Sequence, residues 1–515
     1  MSAVTERWGF DIDLTPPFMA FSVLRTRALQ HFGEAEVLDL SQGEPGYGFA
    51  PNIRSRRFFA FLLLLDIQFN NNDTEMHFAE FTAKDLPKIL DEVRVVAQEN
   101  YLPEIAAELL ADFNFFLSEL QKIATAQNLQ YGKFEILYDI FKYSIPAGGR
   151  YPNPWGEPIV RAAVAEHYHE LFALPIFSPD VMLLSGAAHG IGTVFKALGE
   201  EGIGYLQPGD TVLVTSPVYA PYNELLRDRG INIFSLSLAP ETGEADPESL
   251  GALQQFTAPI KAMILINPNN PTGFPYGMKL LQVLSDIAEK HNSLIIADEV
   301  YLEFFQKAPS ILALPAARKR TIHISSLSKT ERATGVRFGS YLLLPEAKKY
   351  ISENILANFL GKYKSIENLL FLAKSPGGKT IGAFQHITGI PGPAQILGLS
   401  HLILGREEKE KYLAAVRKKV EIFYAALGLP LQANSYYGVF DITPLQSTAK
   451  EELPTEQKFL EIAERGVVLM PANLFFSAED RARKNCRNYV RVSLPNLSFE
   501  NTKKAAEIIR KYLQE

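Results

Sequence analysis

From about Ser178 onward the chain alternates short, almost wholly apolar runs with amphipathic stretches: VMLLSG, TVLVTSP, MILIN, SLIIADE, TIHISSL and RFGSYLLL. A run that is apolar at successive positions keeps no polar face for water, so it predicts a strand buried on both sides. The helical stretches between such strands predict the crossovers of a parallel or mostly parallel sheet in an α/β layer fold. Ligands gather at the carboxyl ends of strands in open sheets of this kind, and Gly186, Tyr219, Asn270, Asp298 and Lys329 each fall at or just past one. After Pro345 the pattern turns helical, with EEKEKYLAAVRKKVEIFYAAL setting apolar residues at helical spacing beneath a charged face. YYGVFDI and YVRVSLP then predict strands of a smaller α+β part. Upstream, LPEIAAELLADFNFFLSELQKIA predicts amphipathic helix, and FFAFLLLLDIQF, too short to span a bilayer and interrupted by Asp66, predicts a buried one.

At 515 residues and 47% hydrophobic content the chain exceeds one ordinary domain and has ample material for large cores. A net charge of -7 gives no basic excess, which disfavours nucleic acid and anionic membrane as partners. The single cysteine, Cys486, cannot form an internal disulfide and suits a reducing compartment. MSAVTERWGF lacks a basic region followed by an apolar one, so no secretory signal is expected and the expected location is the cytoplasm.

Lys329 ends the apolar run TIHISSLSK, beside Ser326 and Ser328 and ahead of TERATGVRFG. Its charge is costly to bury unless it is paired or removed by forming an imine, and the two serines with Arg337 suit a phosphate. A solvated strand end is the bland alternative for this lysine taken alone. Other runs outweigh it: IADEVYLEF brings Asp298 and Tyr301, ILINPNNPTG brings Asn270, TSPVYAPY brings Tyr219, and YVRVSLP brings Arg491. SGAAHGIGTVFKAL predicts a strand ending at Gly186 and a helix beginning near Ala187, whose free N–H groups favour a dianion. Asp298 lies in a run so apolar that its carboxylate needs a cation.

In this order and at these separations the runs resemble the class I/II aminotransferases, the fold-type I enzymes that use pyridoxal 5'-phosphate (PLP); the likeness extends from SQGEPGY to Arg491, except for the segment between about Asn52 and Gly149. The resemblance implies an α/β fold-type I PLP-transferase, with a mostly parallel central sheet sandwiched by helices, a smaller α+β domain and a helical insertion. It implies Lys329, Asp298 and Tyr219 as catalytic residues. PLP contacts fall to Gly186, Ala187, Ala188, Tyr219, Asn270, Asp298, Tyr301, Ser326, Ser328, Lys329 and Arg337, and substrate contacts to Gly43, Asn270 and Arg491. Tyr151 of YPNPWG matches the tyrosine that reaches the phosphate of the neighbouring subunit, which implies a homodimer. No metal is expected.

The implied domains are an N-terminal segment 1–50 packing with the small domain, a helical insertion 51–150, a large PLP-binding domain 151–394, and an interdomain helix with the small domain, 395–515. The expected reaction moves an amino group between an α-amino acid and a 2-oxo acid. The long insertion and RRFF after SQGEP also resemble aspartate 4-decarboxylases, which makes conversion of aspartate to alanine and carbon dioxide the alternative, with Arg54, Arg56 and Arg57 available for a distal carboxylate. A PLP-binding regulator would need a DNA-binding module, and neither a basic stretch nor a helix-turn-helix pattern precedes Ser41.

Overall fold

The computed structural model describes residues 3–43, 45, 53–71, 81–144, 152–305, 307–370, 373–374, 380–381, 390–431, 436–483 and 486–515. The chain forms two compact units: Met1–Phe49 with Leu206–Arg320 and Tyr412–Glu515, and Ala50–Tyr205 with Thr321–Lys411. No described helix is long and apolar enough to cross a membrane.

In the first unit β3 (Thr211–Ser216), β4 (Asn232–Ser237), β5 (Ile260–Ile266) and β6 (Leu294–Asp298) pair in parallel, in the order β6-β5-β3-β4. Alternate residues Met263, Leu265, Ile295 and Ala297 pack with Leu281, Leu284, Ile287 and Ala288 of the helix Met278–Lys290. The intervening Ile264 and Ile296 are buried as well, which is why these strands read as continuous apolar runs. β4 is the strand that the apolar pattern misses. It lies at the end of this row, is partly exposed along its first four residues, and so carries asparagine and serines where an inner strand has valine or isoleucine.

The same unit holds a three-stranded antiparallel sheet: β14 (Tyr489–Ser493) runs between β11 (Tyr437–Asp441) and β13 (Met470–Pro471). β1 (Leu38–Asp39) pairs in parallel with β12 (Val467–Val468). Phe10, Ile12, Ala20 and Leu24 share one apolar core with Val420, Phe423, Leu427, Val490, Ile509 and Leu513, joining the two ends of the sequence.

In the second unit β2 (Val181–Leu184), β8 (Gly339–Leu342) and β7 (Thr321–Ser326) pair antiparallel in the order β2-β8-β7. A short antiparallel pair, β9 (Ala373–Lys374) with β10 (Thr380–Ile381), follows. The segment ahead of β2 is helical at Ile53–Asn71, Leu86–Asn100, Pro103–Ala126 and Lys133–Ser144. Along Pro103–Ala126 the buried residues Leu109, Phe113, Phe116, Leu117 and Leu120 recur every three or four positions, one face of a helix. Phe58 meets Phe113 and Phe116 at centroid distances of 6.1 and 4.6 Å, each buried ring contributing roughly 2–3 kcal/mol. Asp112, itself buried, receives Arg54 at 2.5 Å and Arg57 at 3.4 Å, and Arg57 also pairs with Glu108.

His401, on the helix Gly392–Leu404, is 3% exposed, and its Nδ1 has no hydrogen-bond partner among the described residues. Burial, with a smaller contribution from the Arg56 charge, lowers its pKa from 6.5 to about 4. The unfolded chain therefore binds the extra proton first. The stability that depends on neutral His401 is present above pH 6.5 and is lost as pH falls through the window down to 4, by roughly 3 kcal/mol at most. Denaturant midpoints at pH 7 and pH 4.5 should differ less in His401→Gln than in the parent. An equal difference in both proteins would count against this.

Candidate active site

The candidate residues form two constellations, one in each unit. In the first unit Asp298 closes β6 with 6% exposure, and Tyr222 donates its hydroxyl proton to Asp298 Oδ2 at 3.0 Å. Burial, followed by the Asp298 charge, raises the Tyr222 pKa well above 10, so the phenol stays a donor. Tyr219 caps the helix Ala220–Arg227, three residues earlier, and meets Tyr222 and Phe18 edge to face at 6.1 and 6.3 Å. Its pKa is pushed up to about 12, first by burial and then by Tyr437, against the opposing pull of Arg491.

Asn270 follows β5 in a turn held by its neighbour Asn269. The Asn269 amide donates to Pro217 O at 3.2 Å, and its carbonyl accepts from Thr272 N and Oγ1 at 3.1 and 3.0 Å. Asn270 Oδ1 accepts from Arg491 Nη1 at 3.4 Å. Arg491 stands at the middle of β14, 1% exposed, and donates from Nη2 to Ser41 O at 2.6 Å. Its Nε is buried without a hydrogen-bond partner, and no carboxylate of the described residues pairs with it. A guanidinium so far from water without a counter-charge is costly, and a planar anion arriving at its free edge relieves that cost.

Tyr301 donates to Tyr437 Oη at 3.2 Å, and its pKa is raised well above 10 by burial and then by Tyr437. Gly43 O accepts from Tyr436 Oη at 2.7 Å.

In the second unit Gly186, at φ +83°, opens the helix Ala187–Leu198, and no side chain caps that end. An ideal Cβ on Gly186 would lie 2.3 Å from Arg337 Nη2. Gly339 is equally constrained, because a Cβ there would come 2.8 Å from the Gly186 backbone. Arg337 donates from Nη1 to Thr334 O at 2.8 Å and from Nη2 to Ser185 O at 3.3 Å, so carbonyls aim its fork across the helix start. At the end of β7, Ser326 Oγ accepts from Ser328 N–H at 3.1 Å and donates to Phe338 O at 2.8 Å. Lys329, half-buried, sits in the single turn Leu327–Thr330 that follows. The uncapped N–H groups of Ala187 and Ala188, the Arg337 fork and two serines are donors of the kinds that suit an anion.

Asp298, Tyr301, Asn270, Tyr219, Arg491 and Gly43 thus belong to the first unit, and Gly186, Ala187, Ala188, Ser326, Ser328, Lys329 and Arg337 to the second. Tyr151 lies outside the described residues. Sequence reasoning passes over Tyr222, Tyr436, Tyr437 and Asn269. Tyr222 could have been found from its spacing, three residues past Tyr219 on one helix face. The tyrosine pair gave no periodic signal, because its role depends on residues hundreds of positions away.

The family model for aminotransferase class I and II matches residues 142–509. Among curated relatives, the chain is 28% identical over 191 residues to the aspartate/prephenate aminotransferase of Thermus thermophilus, 37% of this chain and 47% of that one. It is 27% identical over 373 residues to the LL-diaminopimelate aminotransferase of Aquifex aeolicus, 71% of this chain and 84% of that one. The chain spans about half the length of the first of the curated relatives it matches. Among solved structures, an aspartate aminotransferase from Thermus thermophilus with maleate has a TM-score of 0.59 at 18% identity, covering 100% of this chain and 99% of that one. An aminotransferase from Mycobacterium tuberculosis reaches 0.60 at 17%, covering 98% of each. At these identities the two structures show the fold, α/β with a mainly parallel central sheet, the fold type I arrangement. On the match to residues 142–509, the chain belongs to the class I and II aminotransferases.

Proposed function

We propose that this chain is a PLP-dependent aminotransferase that moves an amino group between an α-amino acid and a 2-oxo acid. The observation that carries the reading is Arg491, a fully buried guanidinium with a free Nε, no carboxylate partner and Asn270 beside it. Both reactants present a carboxylate next to the reacting carbon, and a planar fork can bind it in two-point fashion and fix which bond at Cα is set up to break.

The residues present fit PLP. The uncapped helix start at Gly186 and the Arg337 guanidinium, which lies against the bare Gly186 backbone, suit its phosphate. Asp298, buried and already accepting from Tyr222, suits a protonated ring nitrogen. In this reading Ser326, Ser328, Ala187 and Ala188 hold the phosphate with Arg337, Tyr219 lies against the ring, and Tyr301 and Asn270 address its 3-oxygen. When bound, PLP supplies an electron sink and a carbonyl carbon that carries the amino group. Lys329 Nζ would hold the cofactor and would serve as the base for the proton at the substrate Cα. Asp298 would favour a protonated ring nitrogen.

The finer proposals follow the same family correspondence. Tyr151 reaches the phosphate of a second copy, so the working unit is a homodimer in the cytoplasm, with small-molecule partners and neither nucleic acid nor membrane. The domain division is 1–50 with 395–515, the insertion 51–150 and the PLP domain 151–394; the core shared by Phe10, Leu24, Val420 and Ile509 supports its first pairing. The decarboxylase alternative gains nothing from Arg54 and Arg57, whose charges are engaged by Asp112 and Glu108.

The test is to incubate the PLP-loaded protein with a panel of amino acids, with and without 2-oxoglutarate. Glutamate and the new 2-oxo acid should appear in equal amounts, and sustained turnover should need the acceptor. Alanine and carbon dioxide from aspartate without an acceptor would replace this reading with the decarboxylase.

A further inference from the structure

The geometry points to Tyr437 as a positioning residue for the substrate carboxylate, set in place by a strained neighbour, Tyr436, and by the bare backbone of Gly43; this rests on the reading of Arg491 as the carboxylate's partner. Register explains why Tyr437 and Arg491 meet. Tyr437 lies opposite Ser493 and Val439 opposite Arg491, so residues 437, 439, 491 and 493 share one face of the antiparallel pair, with Tyr437 and Arg491 on its diagonal. The guanidinium carbon stands over the Tyr437 ring at 4.6 Å and over the Phe475 ring at 5.3 Å. Aromatic faces attract the cation without using its N–H groups. The plane of the fork is therefore held while Nε stays free for an incoming anion.

What places Tyr437 is a backbone anomaly. Tyr436 has φ +68°, in the left-handed region that a bulky side chain rarely adopts. In a regular strand two successive side chains point to opposite faces. Here both tyrosine rings pack on Tyr301, at 5.2 and 5.4 Å, because the left-handed residue turns the chain between them. Strain of this kind persists only where the surroundings over-determine it. Tyr436 is fixed by its bond to Gly43 O and by Phe304 at 5.0 Å. The Tyr437 hydroxyl then occupies the space in front of Gly43: an ideal Cβ at residue 43 would lie 2.0 Å from Oη, 3.1 Å from Cζ and 3.4 Å from Cε1. The Gly43 backbone lies outside the left-handed region, so it is the tyrosine that excludes a side chain there.

Three groups assigned to reactant or cofactor thus converge on one ring. Arg491 lies over its face, Tyr301 bonds its hydroxyl, and Gly43 lines its edge. Tyr437 contributes no proton and no charge to the reaction. It holds the fork in the plane where a carboxylate can enter.

The experiment uses the PLP-loaded protein and two unreactive carboxylates, hydrocinnamate and succinate, with Kd read from the absorbance of the bound cofactor, alongside KM and kcat for the best amino acid. Tyr437→Leu should raise KM, and Kd for whichever carboxylate the parent binds, tenfold or more, with kcat within threefold. Tyr437→Phe, which keeps the ring, should stay within threefold on all of them. Gly43→Ala should mimic the leucine variant, because its new methyl group displaces the hydroxyl. Gly43→Ala/Tyr437→Phe should recover most of the loss, since the atom in collision is gone. Arg491→Lys separates the two readings. If it loses carboxylate binding while Tyr437→Leu and Gly43→Ala keep Kd and KM within twofold of the parent, the role given to Tyr437 is overturned and that of Arg491 stands. If Arg491→Lys itself binds carboxylates normally, both fall. Should the leucine variant fail to fold, the Gly43 cycle decides, and absence of rescue by Tyr437→Phe overturns the proposal.

Discussion

Lys329→Ala is expected to lower amino transfer by roughly 10⁴-fold or more, since it removes both the covalent anchor and the base that handles the Cα proton. The protein should still fold. Lys329 is half-buried on one short turn, and the serine contacts beside it do not use its side chain. PLP should also be retained without a covalent bond, because Gly186, Arg337, Asp298 and Tyr301 are untouched. Borohydride treatment followed by intact mass measurement checks this: the parent gains one cofactor fixed at residue 329, and the variant gains none. Trapping at another lysine, or turnover near that of the parent, would refute the assignment.

Arg491→Lys is expected to lower kcat/KM for amino acids by about 10²–10³-fold, which corresponds to roughly 3–4 kcal/mol of lost transition-state stabilisation. An ammonium keeps the charge but not the geometry. Arg491 serves Asn270 Oδ1 and Ser41 O from its two terminal nitrogens while Nε remains free, and one point charge cannot reproduce that planar arrangement. The loss should be shared by the amino acid and the 2-oxo acid, whose carboxylates are the same group before and after transfer. Single-turnover rates in both directions, with the PLP spectrum as a control, decide it. An unchanged spectrum with lost kcat/KM supports the role, and unchanged kinetics would make Arg491 a structural residue.

The inner strands are legible because each is buried on both faces, so that β3, β5 and β6 announce themselves through the apolar runs VLV, MILI and LIIA. β4 was not, since its partly exposed position tolerates Asn232 and Ser235. Asp298 and Lys329 stood out because charge at the end of an apolar strand demands a reason. Tyr437 stood in an ordinary aromatic strand, and nothing local distinguishes a tyrosine that packs a core from one that carries a guanidinium. Its meaning lies in Gly43 and Arg491, which only tertiary structure brings to it. Arg54 and Arg57 show the converse. A cluster of arginines looks available for a substrate until the fold supplies Asp112 and Glu108.

The core that joins both ends of the sequence has a consequence during synthesis. Ile12 N–H is received by Glu456, 444 residues away, and Leu38 and Asp39 find their strand partners only at Val467 and Val468. At translation speeds of about 5–20 residues per second, that partner emerges roughly 20–90 s after the N-terminal segment does. For that interval Phe10, Ile12 and Leu24 are on the nascent chain without the surface that later covers them. The first unit can therefore be completed only after the residues up to Leu513 have been made, and the ribosome-bound chain must carry this apolar stretch until then, a task suited to a chaperone that binds short hydrophobic segments.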